Sequence, residues 1–172
     1  MDNRKFWTYF FLIATLLTAV LIFCFSAQQG VDSSALSNGV TKTVARVVNP
    51  DYVQLPPKAQ QSYLKSLSLL IRKNAHFCEF ALLGFNLMSF LRLKRRERRF
   101  LSSGLTAWGI ATLYAGTDEL HQLFVSERSA ALLDVGIDST GSLTGILVAA
   151  LCLVLLARLR QRRAKTTFSS PS

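Results

Sequence analysis

"FWTYFFLIATLLTAVLIFCF", Phe6 to Phe25, carries no charged residue from end to end. A helix needs about 20 apolar residues to cross a hydrocarbon core, so the stretch reads as a transmembrane helix. That reading sets the solvent in which everything after it is interpreted. The rival is a cleaved signal peptide, since Arg4 and Lys5 make a basic start. Against it, the apolar run exceeds the roughly 7 to 15 residues of a signal-peptide core, and Phe25 is a poor partner for cleavage after Ala27.

Composition agrees with a membrane setting. Half of the 172 residues are hydrophobic and the formal net charge is +10, too apolar for an ordinary soluble domain and too short for several. Three further apolar runs follow, at about 75–93, 100–116 and 139–157. Runs two and three gather ionisable groups at one end, as expected where polar residues face a bundle interior or an aqueous cavity. The predicted fold is therefore an all-α integral membrane protein with four transmembrane helices. Residues 1–5 form an N-terminal stub, 6–157 the membrane domain with a long loop at 26–74, and 158–172 a basic tail.

Orientation follows from Lys and Arg. "RLKRRERR" (92–99) and "RLRQRR" (158–163) fall on one side together with Arg4 and Lys5. By the positive-inside rule both termini are cytoplasmic, in a multi-pass protein of the bacterial inner membrane. Each basic run abuts a membrane span, which assigns it to topology and lipid headgroups. No nucleic-acid motif accompanies them.

Within the long loop, "SSALSNGVTKTVARVVNP" (33–50) places Leu36, Val40, Val44 and Val47 on one helical stripe, stopped by Asn49-Pro50. It predicts an amphipathic helix on the outer face, lying on the leaflet or packed over the bundle. After Pro56-Pro57, "KAQQSYLKSLSLLIRK" (58–73) has the periodicity to run straight into the second span. Cys24, Cys78 and Cys152 each sit in an apolar run without a paired spacing, and are expected to be small buried hydrophobes.

This topology gathers the chemistry at the outer end. Arg72, His76 and Glu79 lie at i, i+4 and i+7 on the second span. Asp118, His121 and Gln122 lie at i, i+3 and i+4 on the third, and Asp134 and Asp138 stand where the chain enters the fourth. The three groups are expected to reach one aqueous mouth. An ion network holding helix ends together is the structural explanation. A functional one rests on the only two histidines in the chain, both placed among carboxylates, an arrangement general-base catalysis uses.

"RKNAHFCEFALLGF" (72–85), "TDELHQLFVSERSAALLDVGIDSTGSLTG" (117–145) and "FSAQ" (25–28) together resemble the VanZ-like family of small bacterial membrane proteins, over about Phe25 to Gly145. Residue by residue the match falls on Arg72, Lys73, His76, Glu79, Asp118, Glu119, His121, Gln122, Arg128, Asp134 and Gly141. Two positions depart from the family pattern: Glu127 stands where glycine usually precedes the arginine, and Asp138 where asparagine is common. The resemblance implies a role in the cell envelope, the namesake being linked to reduced susceptibility to teicoplanin.

Two functions from different classes stay open. One is an enzyme at the outer leaflet, acting on a lipid-linked or glycan or peptide anionic group of an envelope precursor. His76, Glu79, Asp118, Glu119 and His121 would be its catalytic residues; Arg72, Lys73, Gln122, Arg128, Asp134 and Asp138 would bind substrate. The other is a non-catalytic protein that binds or shields a lipid or lipopeptide headgroup. His76-x-x-Glu79 and Asp118-x-x-His121 also have zinc-ligand spacing, but the compact H-E-x-x-H signature is missing, so no metal and no cofactor is expected. Gly141 and Gly145 form a G-x-x-x-G pair, for packing within the chain or for a homodimer.

Overall fold

Each apolar run becomes part of a longer helix. The computed structural model describes residues 3–27, 30–94, 99–125 and 132–168, except for the side chains of 30–38 and 163–168. Across these residues the chain forms helices α1 (Asn3–Ala27), α2 (Gly30–Val48), α3 (Pro57–Lys94), α4 (Phe100–Gln122) and α5 (Leu132–Phe168), with a 3-10 turn at Pro50–Gln54 and no strand.

Proline punctuates the loop as expected. Pro50 has no N–H to donate and cannot continue α2, which ends with the Asn49 amide bonded to the Ala45 carbonyl at 2.8 Å. Pro57 then opens α3 at a first position that its fixed φ suits. From there α3 continues unbroken for 38 residues, about 57 Å at 1.5 Å per residue. Residues 58–73 of the loop and the second apolar run are thus one rod. The other ends extend too: α4 carries Asp118 through Gln122 within its last turns, and α5 runs on from the fourth apolar run into the basic tail.

Two helices, over Asn3–Ser26 and Leu132–Arg162, are long and apolar enough to cross a membrane. Only 11% and 22% of their most apolar windows are buried, whereas a core helix of a water-soluble protein would be mostly covered. Their exposed surface is Trp7, Phe10, Leu16, Leu17 and Leu21 on α1, and Leu147, Leu151 and Leu155 on α5. The interior, by contrast, holds Thr18, Ser26, Asn86, Ser103, Asp118, Glu119, Gln122, Asp138 and Ser142. An apolar exterior over an interior that holds these polar groups among its apolar ones is the distribution suited to a hydrocarbon solvent, where helix association draws on small residues and internal hydrogen bonds. α1 shares in that interior: Asn86 donates to Thr18 Oγ1 at 3.2 Å and the Tyr114 hydroxyl to the Ala19 carbonyl at 2.7 Å.

The core is built on small residues. α4 turns Ser103, Ala107, Ala111 and Ala115 inward at strict i+4 spacing, and Phe80, Leu83, Leu87, Met88 and Ile146 fill the space against them. α3 and α5 approach more closely than any side chain would permit. A Cβ on Gly141 would stand 2.5 Å from the Phe77 carbonyl oxygen. One on Gly145 would overlap the Ala81 carbonyl, and one on Gly84 the Ser142 carbonyl. The packing surface of the G-x-x-x-G pair is therefore occupied by α3 of the same chain.

One expectation needs correction. The three cysteines are exposed: each points away from the bundle. The rule that thiols are buried comes from proteins in water, and a weakly polar thiol is equally at home against hydrocarbon. On α2 the residues turned inward are Thr41 and Ala45, while Val40 and Val47 are exposed. The helix packs through its small side and leaves that part of its apolar stripe open; Leu36 lies outside the described side chains.

Candidate functional site

Four residues of α3 at 69, 72, 73 and 76 share one face, fixed by the i, i+3/i+4, i+7 repeat. Across from them stand Glu119 and Gln122 of α4 and Asp134, Ile137 and Asp138 of α5, and together the nine line a narrow cleft. Leu69 and Ile137 make its apolar walls. Arg72, Lys73 and His76 supply its basic side, Glu119 (6% exposed) and Asp138 (2%) its buried acidic side, and Gln122 (4%) a buried neutral amide.

The cleft is held by specific contacts. Lys73 Nζ pairs with Asp134 Oδ1, joining α3 to the start of α5, and both side chains keep partial access to solvent. That pair stands at the mouth. The cleft beneath it measures about 20 Å³, and an ordered water requires roughly 10–15 Å³. It therefore holds a water or so and does not enclose an organic molecule. His76 Nδ1 lies 3.7 Å from Glu79 Oε2 one turn along α3, within ion-pair reach and beyond a hydrogen bond.

Behind Gln122 lies a second polar layer. Its Nε2 donates to Asp118 Oδ2 at 3.1 Å, and the same oxygen accepts the Ser26 hydroxyl at 2.7 Å. Asp118 is 3% exposed, and its Oδ1 has no hydrogen-bond partner among the described residues. An acceptor buried this way is costly unless satisfied. Next to it, His121 stacks on Phe23 of α1 with ring centres 4.6 Å apart.

Of the eleven residues singled out in the sequence, Arg72, Lys73, His76, Glu119, Gln122, Asp134 and Asp138 line the cleft. Glu79 reaches it through His76, and Asp118 through Gln122. His121 does not line it: the two histidines, expected at one mouth, are turned to different neighbours. Arg128 and Glu127 lie outside the described residues. Among the described residues no group of three or more His, Cys, Asp or Glu side chains could hold a metal ion. Sequence reasoning missed Leu69, Ile137 and the work of Ser26. The last had a signal, as the serine of "FSAQ" directly after an apolar run.

The VanZ/LLP1 family model matches residues 10–155. The chain belongs to the VanZ/LLP1 family. The match takes in α1 through the apolar part of α5, hence the cleft and the Ser26–Asp118 layer behind it. No curated protein and no solved structure matches. The motifs that resembled VanZ-like proteins now have places in space: "RKNAHFCEF" gives one wall of the cleft, "TDELHQ" its floor and inner layer, "LLDVGID" the opposite wall, and "FSAQ" the hydroxyl that anchors Asp118.

Proposed function

We propose that this VanZ/LLP1 family protein spans the bacterial cytoplasmic membrane four times, with both termini in the cytoplasm. It acts at the outer leaflet on an anionic group of an envelope substrate, lipid-linked, glycan or peptide. The observation that carries this reading is the cleft itself: a guanidinium, an ammonium and an imidazole from two successive turns of α3 face buried carboxyl groups from α4 and α5. An anion approaching the mouth would be taken by Arg72 through charge-assisted hydrogen bonds, while Lys73 exchanges Asp134 for it. His76, oriented by Glu79, would then stand beside the bound group as proton acceptor. Arg128, six residues beyond the end of α4 in the sequence, would complete the clamp. Namesake-like effects on lipoglycopeptide susceptibility are a consequence to test in the living cell.

The second reading is binding without chemistry, in which the mouth holds a lipid or lipopeptide headgroup and shields it. The cleft's small volume favours it, since an anion would be held at the rim and not enclosed. One experiment separates the two. Purified protein is incubated with an envelope lipid extract: an enzyme converts some species, whereas a binder co-purifies with it unchanged. Lipid profiles of a deletion strain and a His76→Ala strain should share the same accumulated species if the cleft is catalytic; a species that accumulates only on deletion supports the binder.

A further inference from the structure

The opposite end of the bundle holds a larger opening. Between the start of α1, the ends of α3 and α5 and the first residue of α4 lies a cleft of about 520 Å³, lined by Arg4, Arg92 and Arg160 and floored by Trp7, Phe100 and Leu153. This volume is within the roughly 300–1,000 Å³ of ligand sites. Three arginines reach it from three different helices, and no acidic side chain is among its described lining. Two of them are held in place: Arg4 Nε donates to the Leu93 carbonyl at 3.1 Å, and the Arg92 guanidinium lies 3.8 Å above the centre of the Phe100 ring. On the other side of Arg4 a second cleft, of about 440 Å³, adds Lys5 and Lys94.

Charge and shape indicate the occupant. Planar guanidinium groups present forked donors that match phosphate. Exposed Leu156 of α5, one turn from Leu153 and Arg160, and exposed Phe10 of α1, one turn from Trp7, add apolar surface beside the floor. A free phosphate or a nucleic acid would use the arginines and leave the aromatic and aliphatic floor unused; a lipid uses both. We propose that this cleft holds the headgroup phosphate of an anionic phospholipid, with its acyl chains laid along α1 and α5. The proposal rests on the membrane-spanning reading of α1 and α5, and it concerns the end of the bundle away from the Arg72 cleft. Basic pockets between membrane helices are where anionic headgroups bind, and anchoring there would fix the depth at which the other end meets the far leaflet.

The test uses the full chain in nanodiscs. Arg92→Gln with Arg160→Gln is compared with Arg158→Gln with Arg162→Gln, which removes the same charge outside the lining. Retention of phosphatidylglycerol over phosphatidylcholine through delipidation is read by mass spectrometry. The cleft pair should lose the preference about tenfold or more, at roughly the energy of a basic residue near an anionic surface, and the control pair should keep it. Equal losses would mean diffuse surface attraction and overturn the proposal, as would no loss in either. A measurement that keeps both arginines covers the case in which the double variant fails to fold. In a Trp108→Phe protein, brominated phosphatidylglycerol should quench Trp7 more than brominated phosphatidylcholine at equal mole fraction; equal quenching sinks the idea. Glycerol phosphate added in solution should leave Trp7 unchanged, and a protective effect from it would assign the cleft to soluble phosphates instead. If the protein proves extractable from membranes without detergent, the spanning reading fails along with this one. If it reconstitutes and shows no lipid preference, only this one fails.

Discussion

Ser26, at the last turn of α1, gives its hydroxyl hydrogen to Oδ2 of Asp118, near the end of α4, at 2.7 Å, although the two are 92 residues apart in the chain. Both side chains are buried. The bond ties the first helix to the layer behind the cleft, so losing it should be felt twice. Ser26→Ala should cost about 1–3 kcal/mol, the penalty for a buried acceptor deprived of a donor, read as a lower unfolding midpoint in detergent. Combined with Asp118→Ala it should be less than additive, by a coupling of about 0.5–3 kcal/mol. Strict additivity would mean that the contact carries no energy.

The glycines of α4 and α5 predict opposite signs. Gly145→Ala should abolish folded yield, because the added carbon overlaps the Ala81 carbonyl and neither backbone can retreat without separating the helices. Gly109→Ala and Gly116→Ala meet nothing within 4 Å and should stabilise α4 by roughly 0.5–1 kcal/mol through helix propensity. Yield and thermal midpoint of all three variants, measured side by side, check this.

The Lys73–Asp134 pair separates support from function. Its side chains are 40% and 25% exposed, so the pair is worth only about 0–1 kcal/mol. Lys73→Gln should fold with near-normal yield and still lose the envelope phenotype. Loss of yield with phenotype in proportion would reduce the cleft to an ion network.

A reporter active only outside the cytoplasm should work when fused after Pro56 and fail after Lys94 or Lys165. The reverse pattern would invert the orientation and place the Arg72 cleft on the cytoplasmic side.

Periodicity made much of this legible. The α1 run, the stripe Arg72–His76, the continuation of the loop into α3 and the glycine pair all follow from spacing alone. What spacing does not encode is which neighbour a face meets. Asp118, Glu119, His121 and Gln122 spread over an arc of about 160° at 3.6 residues per turn, wide enough to meet more than one neighbour, so their grouping depended on where α1, α3 and α5 stand around α4. The structure sends Glu119 and Gln122 to the cleft and His121 to Phe23. The cysteines were misplaced because a burial rule learned in water was applied to a bundle whose exterior is apolar. The Ser103–Ala115 stripe went unnoticed because alanine gives little hydropathy contrast in an apolar run, although it sets how closely α4 can pack.

With α3 crossing the membrane as proposed, its unbroken course would also make the molecule a gauge. Arg72 and Arg92 stand at its two working ends, 20 positions apart on one rigid rod, about 30 Å at 1.5 Å per residue, which is the thickness of a typical hydrocarbon core. A bilayer a few ångströms thinner would have to tilt the whole rod or deform around it, and either would lift the Arg72 mouth relative to the headgroups it faces. In the four-span arrangement proposed above, membrane thickness would thereby be converted into the height of the cleft above the lipid surface.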